Sequence, residues 1–326
     1  MQIKQFIKDW TLPVSIALGT GTYLLFHSVP LLHAAGDAMA PVIDTIFPLT
    51  VFLTLLTTFC RIDFHQMRPH RWHAAVLAAY LLTVAALCMA TILTSHQGAT
   101  EAGLLCESLL ACAIGPAATA SPVVTGKLGG NINTMTAFVV MSSAASAVMI
   151  PAIFPLIEQT AGISFLTAFT MILQKVALVL ILPLVLGWIM QHKAKALCQQ
   201  ITSIPDLSFH LWCLSLTITA GITIRNILHS HASPTLLATI AAGSLMLCMV
   251  LFILGRTIGH HLGEEVNSGQ ALFQKNTALC IWVSYTYLNP VASVGAGCYV
   301  LWQNIVNSIE LWQYRKHSTT SILKVY

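Results

Sequence analysis

Charge is what this 326-residue sequence has least of. Only 8% of its residues are Asp, Glu, Lys or Arg, against roughly 25% in an average soluble domain. That shortage excludes a water-facing globular surface. With a mean hydropathy of +0.77, the chain reads as a polytopic membrane protein. No basic run and no basic residues interleaved with aromatics occur, so nucleic acid is excluded as a partner. His-Glu-x-x-His and Gly-x-Ser-x-Gly are both missing, which removes the usual motifs of an intramembrane hydrolase; no enzyme is expected. Chelating patterns are missing too. Cys60, Cys88, Cys106, Cys112, Cys213, Cys248, Cys280 and Cys298 lie mostly inside apolar segments and read as small buried side chains. His65, His70 and His73, His229 and His231, and His260 and His261 read as loop or interfacial residues. No metal site follows.

What is present is a series of apolar segments, each about 20 residues long, enough to cross a bilayer. They fall near 11–28, 41–60, 72–94, 101–128, 131–157, 164–191, 205–228, 234–259, 266–288 and 291–313. The basic residues test this count. Lys4 and Lys8 precede span 1. Arg61, Arg68 and Arg71 separate spans 2 and 3, Lys127 ends span 4, and Lys193 and Lys195 follow span 6. Arg256 ends span 8, and Arg315, Lys316 and Lys324 follow span 10. Every second connection is basic, and the alternate ones hold essentially none apart from Arg225. The positive-inside rule then predicts an even number of spans with both termini cytoplasmic, in a plasma (inner) membrane. The start of the chain is similar to a signal peptide, but the spans that follow make an uncleaved first span the better reading.

Ten spans divide into two sets of five, approximately 1–160 and 161–317, with 318–326 as a short cytoplasmic tail. An odd number per half places the halves in opposite orientations. Asp44 and Asp206 are a weak echo between them. One polar stretch interrupts the fourth span of each half. The first is Gly115-Pro116-Ala117-Ala118-Thr119-Ala120-Ser121-Pro122 and the second Gln274-Lys275-Asn276-Thr277. Gly115, Pro116 and Pro122 break the helical hydrogen-bond ladder of span 4. In hydrocarbon such groups are costly and line cavities. Paired interrupted spans point to the midplane site of a secondary transporter. The predicted fold is therefore all-α and integral to the membrane: ten helices as two inverted five-helix repeats, with discontinuous helices 4 and 9 crossing.

Gly115-Pro116 with Thr119-Ala120-Ser121 and Val123-Val124-Thr125, Asn276-Thr277-Ala278-Leu279 in span 9, and Trp302-Gln303-Asn304 in span 10 resemble the bile acid:sodium symporter family. The resemblance runs along the whole length of the chain. It implies a panel domain, a core domain with spans 4 and 9 crossed, and alternating-access uptake of an organic anion with sodium. It places Thr119, Asn276 and Gln303, with Thr277 beside them, at the substrate, and Ser121 at sodium. The departures are specific. The family's sodium-binding asparagine is Pro122 here, and its acidic ligand in span 9 falls near Ala271. Its span-5 ligands fall on Met135 and Val139, with Thr134 or Thr136 as substitutes on a slipped alignment. Its glutamine before the asparagine is Lys275, and its span-3 glutamine is Tyr80.

Sodium requires several hard oxygen ligands. Losing a carboxylate and an amide while gaining an ammonium reverses the local charge, so Lys275 is a candidate stand-in for the ion. A lysine in a low-dielectric site can release its proton as that site opens. Glu107, two turns before the first break, is either a proton carrier or a partner for Lys275. Lys175 and Arg225 either attract an anion or pair or snorkel. Glu310 reads as interfacial, and Trp212, Trp282, Trp302 and Trp312 as belt or packing residues. The partners expected are a small organic anion and the bilayer. Substrate identity, oligomeric state, and the choice among sodium, proton and no coupling ion stay open. A cation/proton antiporter of related fold and a non-transporting sensor are the alternatives.

Overall fold

The computed structural model describes residues 11–61, 68–95, 100–158, 163–205, 207–230 and 232–323. Lys4, Lys8, His65, Asp206, His231 and Lys324 lie outside the described residues. Thirteen α-helices and no strand occur among the described residues. They are α1 (Thr11–Ser28), α2 (His33–Cys60), α3 (Arg71–Ser95), α4 (Glu101–Ala113), α5 (Ser121–Lys127), α6 (Ile132–Ile157) and α7 (Phe165–Lys193). There follow α8 (Lys195–Ser203), α9 (Leu207–His229), α10 (Pro234–Leu262), α11 (Glu265–Phe273), α12 (Thr277–Tyr287) and α13 (Ala292–Leu323). An all-helical chain suits lipid, because each helix satisfies its own backbone.

Six stretches are long and apolar enough to cross a membrane: Pro30–Cys60, Arg71–Thr94, Ile132–Ile157, Phe165–Lys193, His210–His229 and Pro234–Leu262. The chain is a multi-pass membrane protein. Expected spans 4 and 9 are not in that set because each is split, into α4 and α5 and into α11 and α12. Three boundaries differ from the sequence expectation. α2 begins eight residues earlier, behind a 3₁₀ turn at Pro30–Leu32. α13 continues to Leu323, through most of the stretch expected as a tail. The connection expected between spans 6 and 7 contains α8, a strongly amphipathic helix resting on α2 and α7.

Local chemistry sets the ends that matter. Thr100 caps α4 through Gly103 N–H, and Asn131 caps α6 through Asn133 and Thr134 N–H, each satisfying orphan donors of the first turn. Gly129, at φ +81°, turns the chain between α5 and α6, a conformation glycine adopts without steric cost. Pro122 lies in the first turn of α5. There a missing N–H costs nothing, so this proline starts a helix where the sequence suggested it helps break one.

The half-helices lie inside a cage of long helices. α4 packs on α3, α10 and α13; α11 packs on α10, α3, α5 and α6. A separate group joins α1 to α9, α9 to α2, and α2 to α7. The cage is apolar at its centre, with Leu110, Ile114, Phe138, Val139, Phe273, Ile281 and Tyr299 all buried.

Candidate functional site

The two breaks meet. Residues 114–120 leave helical geometry between α4 and α5, and residues 274–276 do so between α11 and α12. Ala117 and Lys275 pair as an isolated antiparallel bridge. Ala118 N–H donates to Gln274 O at 2.8 Å, and Asn276 N–H donates to Pro116 O at 2.9 Å. Each break thus supplies the partners that the other lost, which is how irregular backbone survives at membrane depth.

Four further backbone groups are held by side chains in a repeated pattern. At the first break, Ile114 O accepts from Tyr80 Oη and from Ser146 Oγ, and Ala117 N–H donates to Ser142 Oγ at 3.1 Å. At the second, Phe273 O accepts from Tyr299 Oη at 2.7 Å, and Lys275 N–H donates to Gln303 Oε1 at 2.9 Å. In both, a hydroxyl closes the last carbonyl of the incoming half-helix, and the following long helix catches the N–H of the bridging residue. Gly115 is required here: a Cβ at this position would collide with Cys280 Sγ of α12.

Lys275 is 2% exposed. Its ammonium lies 4.0 Å from the centroid of the Tyr80 ring, within cation–π range. The hydroxyl of that ring reaches the carbonyl end of α4, where the helix dipole is negative. Lys275 makes no ion pair among the described residues. Glu107, considered from the sequence as its partner, instead accepts from Asn289 N–H at 2.8 Å. Lys175 is exposed, with its Nζ 6.0 Å from the Tyr287 ring centroid. Arg225 pairs with Asp44 at 3.5 Å and lies over Tyr285.

The other candidates fall around the crossing in different roles. Asn276 caps α12, its Oδ1 accepting from Leu279 N–H. Gln303 lies behind the crossing as a clamp, bonded to both the N–H and the C=O of Lys275; its Nε2 also lies 3.5 Å from Thr277 Oγ1. Ser121 Oγ lies 3.5 Å from Gln274 O. Thr136 spends its hydroxyl on Ile132 O of its own helix. Thr134 bonds Asn131 O and accepts from Asn267 Nδ2. Pro122, Met135, Val139 and Ala271 are buried without a side-chain oxygen to offer.

A cavity of about 30 Å³ opens beside the crossing. Thr119, Lys275, Asn276 and Thr277 form one wall, and Trp212, Ser215, Leu216 and Thr219 of α9 the other. The α9 residues follow i, i+3, i+4, i+7 spacing, a single helical stripe. The sequence reading missed Ser215 and Thr219 and took Trp212 for a belt or packing residue. Only the placement of α9 against the crossing reveals them.

Two further readings are corrected. Glu310 is buried, pairs with Arg256 and accepts from Gln270 Nε2 at 2.7 Å; it belongs to a polar cluster rather than an interface. His73 lies in the first turn of α3, buried, with Nε2 on Thr134 O at 2.9 Å. Among the described residues, no group of three or more His, Cys, Asp or Glu is placed to hold a metal.

Crossed half-helices, a cavity beside them and an apolar cage are the arrangement expected at the binding site of a secondary transporter. Residues 48–259 match the model of the sodium bile acid symporter family, and the chain belongs to that family. The matched stretch contains the first break and ends before the second. A search of the curated proteins finds no match.

Proposed function

We propose that this protein is a secondary transporter that moves an organic anion by alternating access, with the Lys275 ammonium taking the place of a coupling sodium. One observation carries the second half of that reading. Lys275 is buried beneath the crossing, its charge against the Tyr80 ring at 4.0 Å, with no carboxylate paired to it among the described residues. At the positions the family uses for sodium, Ser121 keeps an oxygen, but Pro122, Met135, Val139 and Ala271 bring none and Lys275 brings a positive charge, a set that does not fit the ion. Coupling is then to protons, or absent.

Packing supports ten spans in two inverted repeats, and the alternation of basic connections supports cytoplasmic termini. Contacts recur in equivalent pairs: α1 on α9 matches α7 on α2, α3 on α4 matches α10 on α11, and α5 on α6 matches α12 on α13. An antiporter reading would want an acidic pair at the crossing, and Glu107 is committed to Asn289 instead.

The test is binding to the purified protein. Organic anions, short and steroidal, are titrated in sodium and in potassium at fixed pH, with thermal stabilisation reporting occupancy. Equal binding in the two salts is expected, and Lys275→Gln should restore a preference for sodium. Binding that rises steeply with sodium in the unaltered protein sinks the proposal.

A further inference from the structure

Away from the crossing, α8 presents an apolar stripe that no described part of the chain covers. The inner side of this helix is moored. Cys198 is buried and its Sγ donates to Cys60 O at 3.4 Å, while Arg61 Nη2 donates to Ile204 O at 3.0 Å. The apolar stripe points elsewhere. Leu197, Ile201 and Ile204 recur at i, i+4, i+7, which places them along one face, yet Leu197 is 50% and Ile204 48% exposed. Trp188, in the closing turns of α7, is exposed as well.

Three cations border this helix. Lys193 closes α7, Lys195 opens α8, and Arg61 is tied to the far end of α8 through Ile204. All three are exposed. None has a carboxylate within ion-pair distance among the described residues. The Arg61 bond is to a neutral carbonyl, which leaves its charge uncompensated and further guanidinium donors to offer. A partner for such a surface must be anionic to meet the cations and apolar to cover Leu197 and Ile204. A soluble anion supplies only the first, and a neutral lipid only the second. The apolar helix α7 is long enough to cross the membrane and ends one residue before α8, so α8 starts where phosphate headgroups meet acyl chains. Basic amphipathic helices bind that boundary through buried apolar area together with attraction to anionic lipid.

We infer that α8, with Arg61, Lys193 and Lys195, is a docking surface for an anionic phospholipid, whose phosphate meets the cations and whose acyl chains cover Leu197 and Ile204. The surface lies on the side that the alternation of basic connections assigns to the cytoplasm. Because α8 is bonded to the end of α2 and rests on α7, a lipid held there anchors that group of helices to one leaflet. The inference is independent of which anion the crossing receives.

The experiment uses the detergent-purified full chain, with native mass spectrometry counting bound dioleoyl phosphatidylglycerol or dioleoyl phosphatidylcholine. The anionic lipid should bind about fivefold or more tightly than the zwitterionic one. Lys193→Gln with Lys195→Gln should lower phosphatidylglycerol affinity by about fivefold for each lysine removed, and Lys193→Arg with Lys195→Arg should keep it. Arg68→Gln with Arg71→Gln removes the same charge from a different connection and should leave it unchanged. Leu197→Ser should weaken both lipids, and glycerol 3-phosphate, the headgroup without chains, should displace neither. Equal binding of the two lipids overturns the inference. So do equal losses from the two glutamine pairs, or displacement by glycerol 3-phosphate, which would mark a soluble-anion site. A dimer that Leu197→Ser dissolves would assign the face to a second copy and overturn it too. Should Lys193→Gln with Lys195→Gln fail to fold, Lys195→Gln is compared with Arg71→Gln, and equal losses there are decisive against it.

Discussion

The two breaks solve one problem with different residues. The first runs over seven residues and uses glycine, proline and alanine; its loose backbone groups are collected by hydroxyls from two other helices, Tyr80 of α3 and Ser142 and Ser146 of α6. The second takes three residues, contains no glycine or proline, and depends on α13 for both the Tyr299 and the Gln303 bonds. A break can thus be written by removing helix-formers or by supplying polar residues that a neighbour holds. The first way leaves neutral backbone, and the second leaves an ionisable side chain, Lys275, buried at the crossing.

That contrast can be broken in order of size. Gly115→Leu should be the most damaging change, about 3 kcal/mol or more, because the new side chain has backbone and Cys280 in its way. Thermal unfolding in detergent measures it, and Gly115→Ala combined with Cys280→Ala should regain most of what Gly115→Ala loses. Lys275→Met should act in two directions: anion affinity falls by about tenfold to a hundredfold, while the ligand-free protein melts higher, since an uncompensated buried charge is gone. A lower melting temperature would mean that the Tyr80 seat outweighs the desolvation cost. Gln303→Leu strands the Lys275 N–H and removes one of the two donors to its C=O, which keeps Thr277 N–H, and should cost about 2 kcal/mol. Ser142→Ala, its counterpart at the first break, strands one N–H and should cost about 1 kcal/mol. Equal losses from these two would remove the asymmetry drawn between the breaks.

Much of this was legible in the sequence. Apolar length and basic alternation delimited the long helices, and the polar interruptions located the crossing, because helix-breaking and charge within a span are local signals. Residues that act across the fold were not legible. Tyr80 shows in the sequence only as the replacement of a glutamine, until the Lys275 ammonium is placed over its ring. Gln303 reads as a ligand until its amide is seen to clamp the backbone on both sides of residue 275. Ser215 and Thr219 sit in a span with no unusual pattern, and only the packing of α9 brings them to the cavity. α8 was hidden by shortness and by Lys195, which made it look like a basic loop.

The main-chain bridge between Ala117 and Lys275 has a consequence for how such a site can change over generations. The bonds from Ala118 to Gln274 and from Asn276 to Pro116 run between backbone atoms, so they persist whichever side chain stands at position 275. The side chain at position 275 can therefore be exchanged, an amide for a lysine, without dismantling the backbone joint between the two breaks.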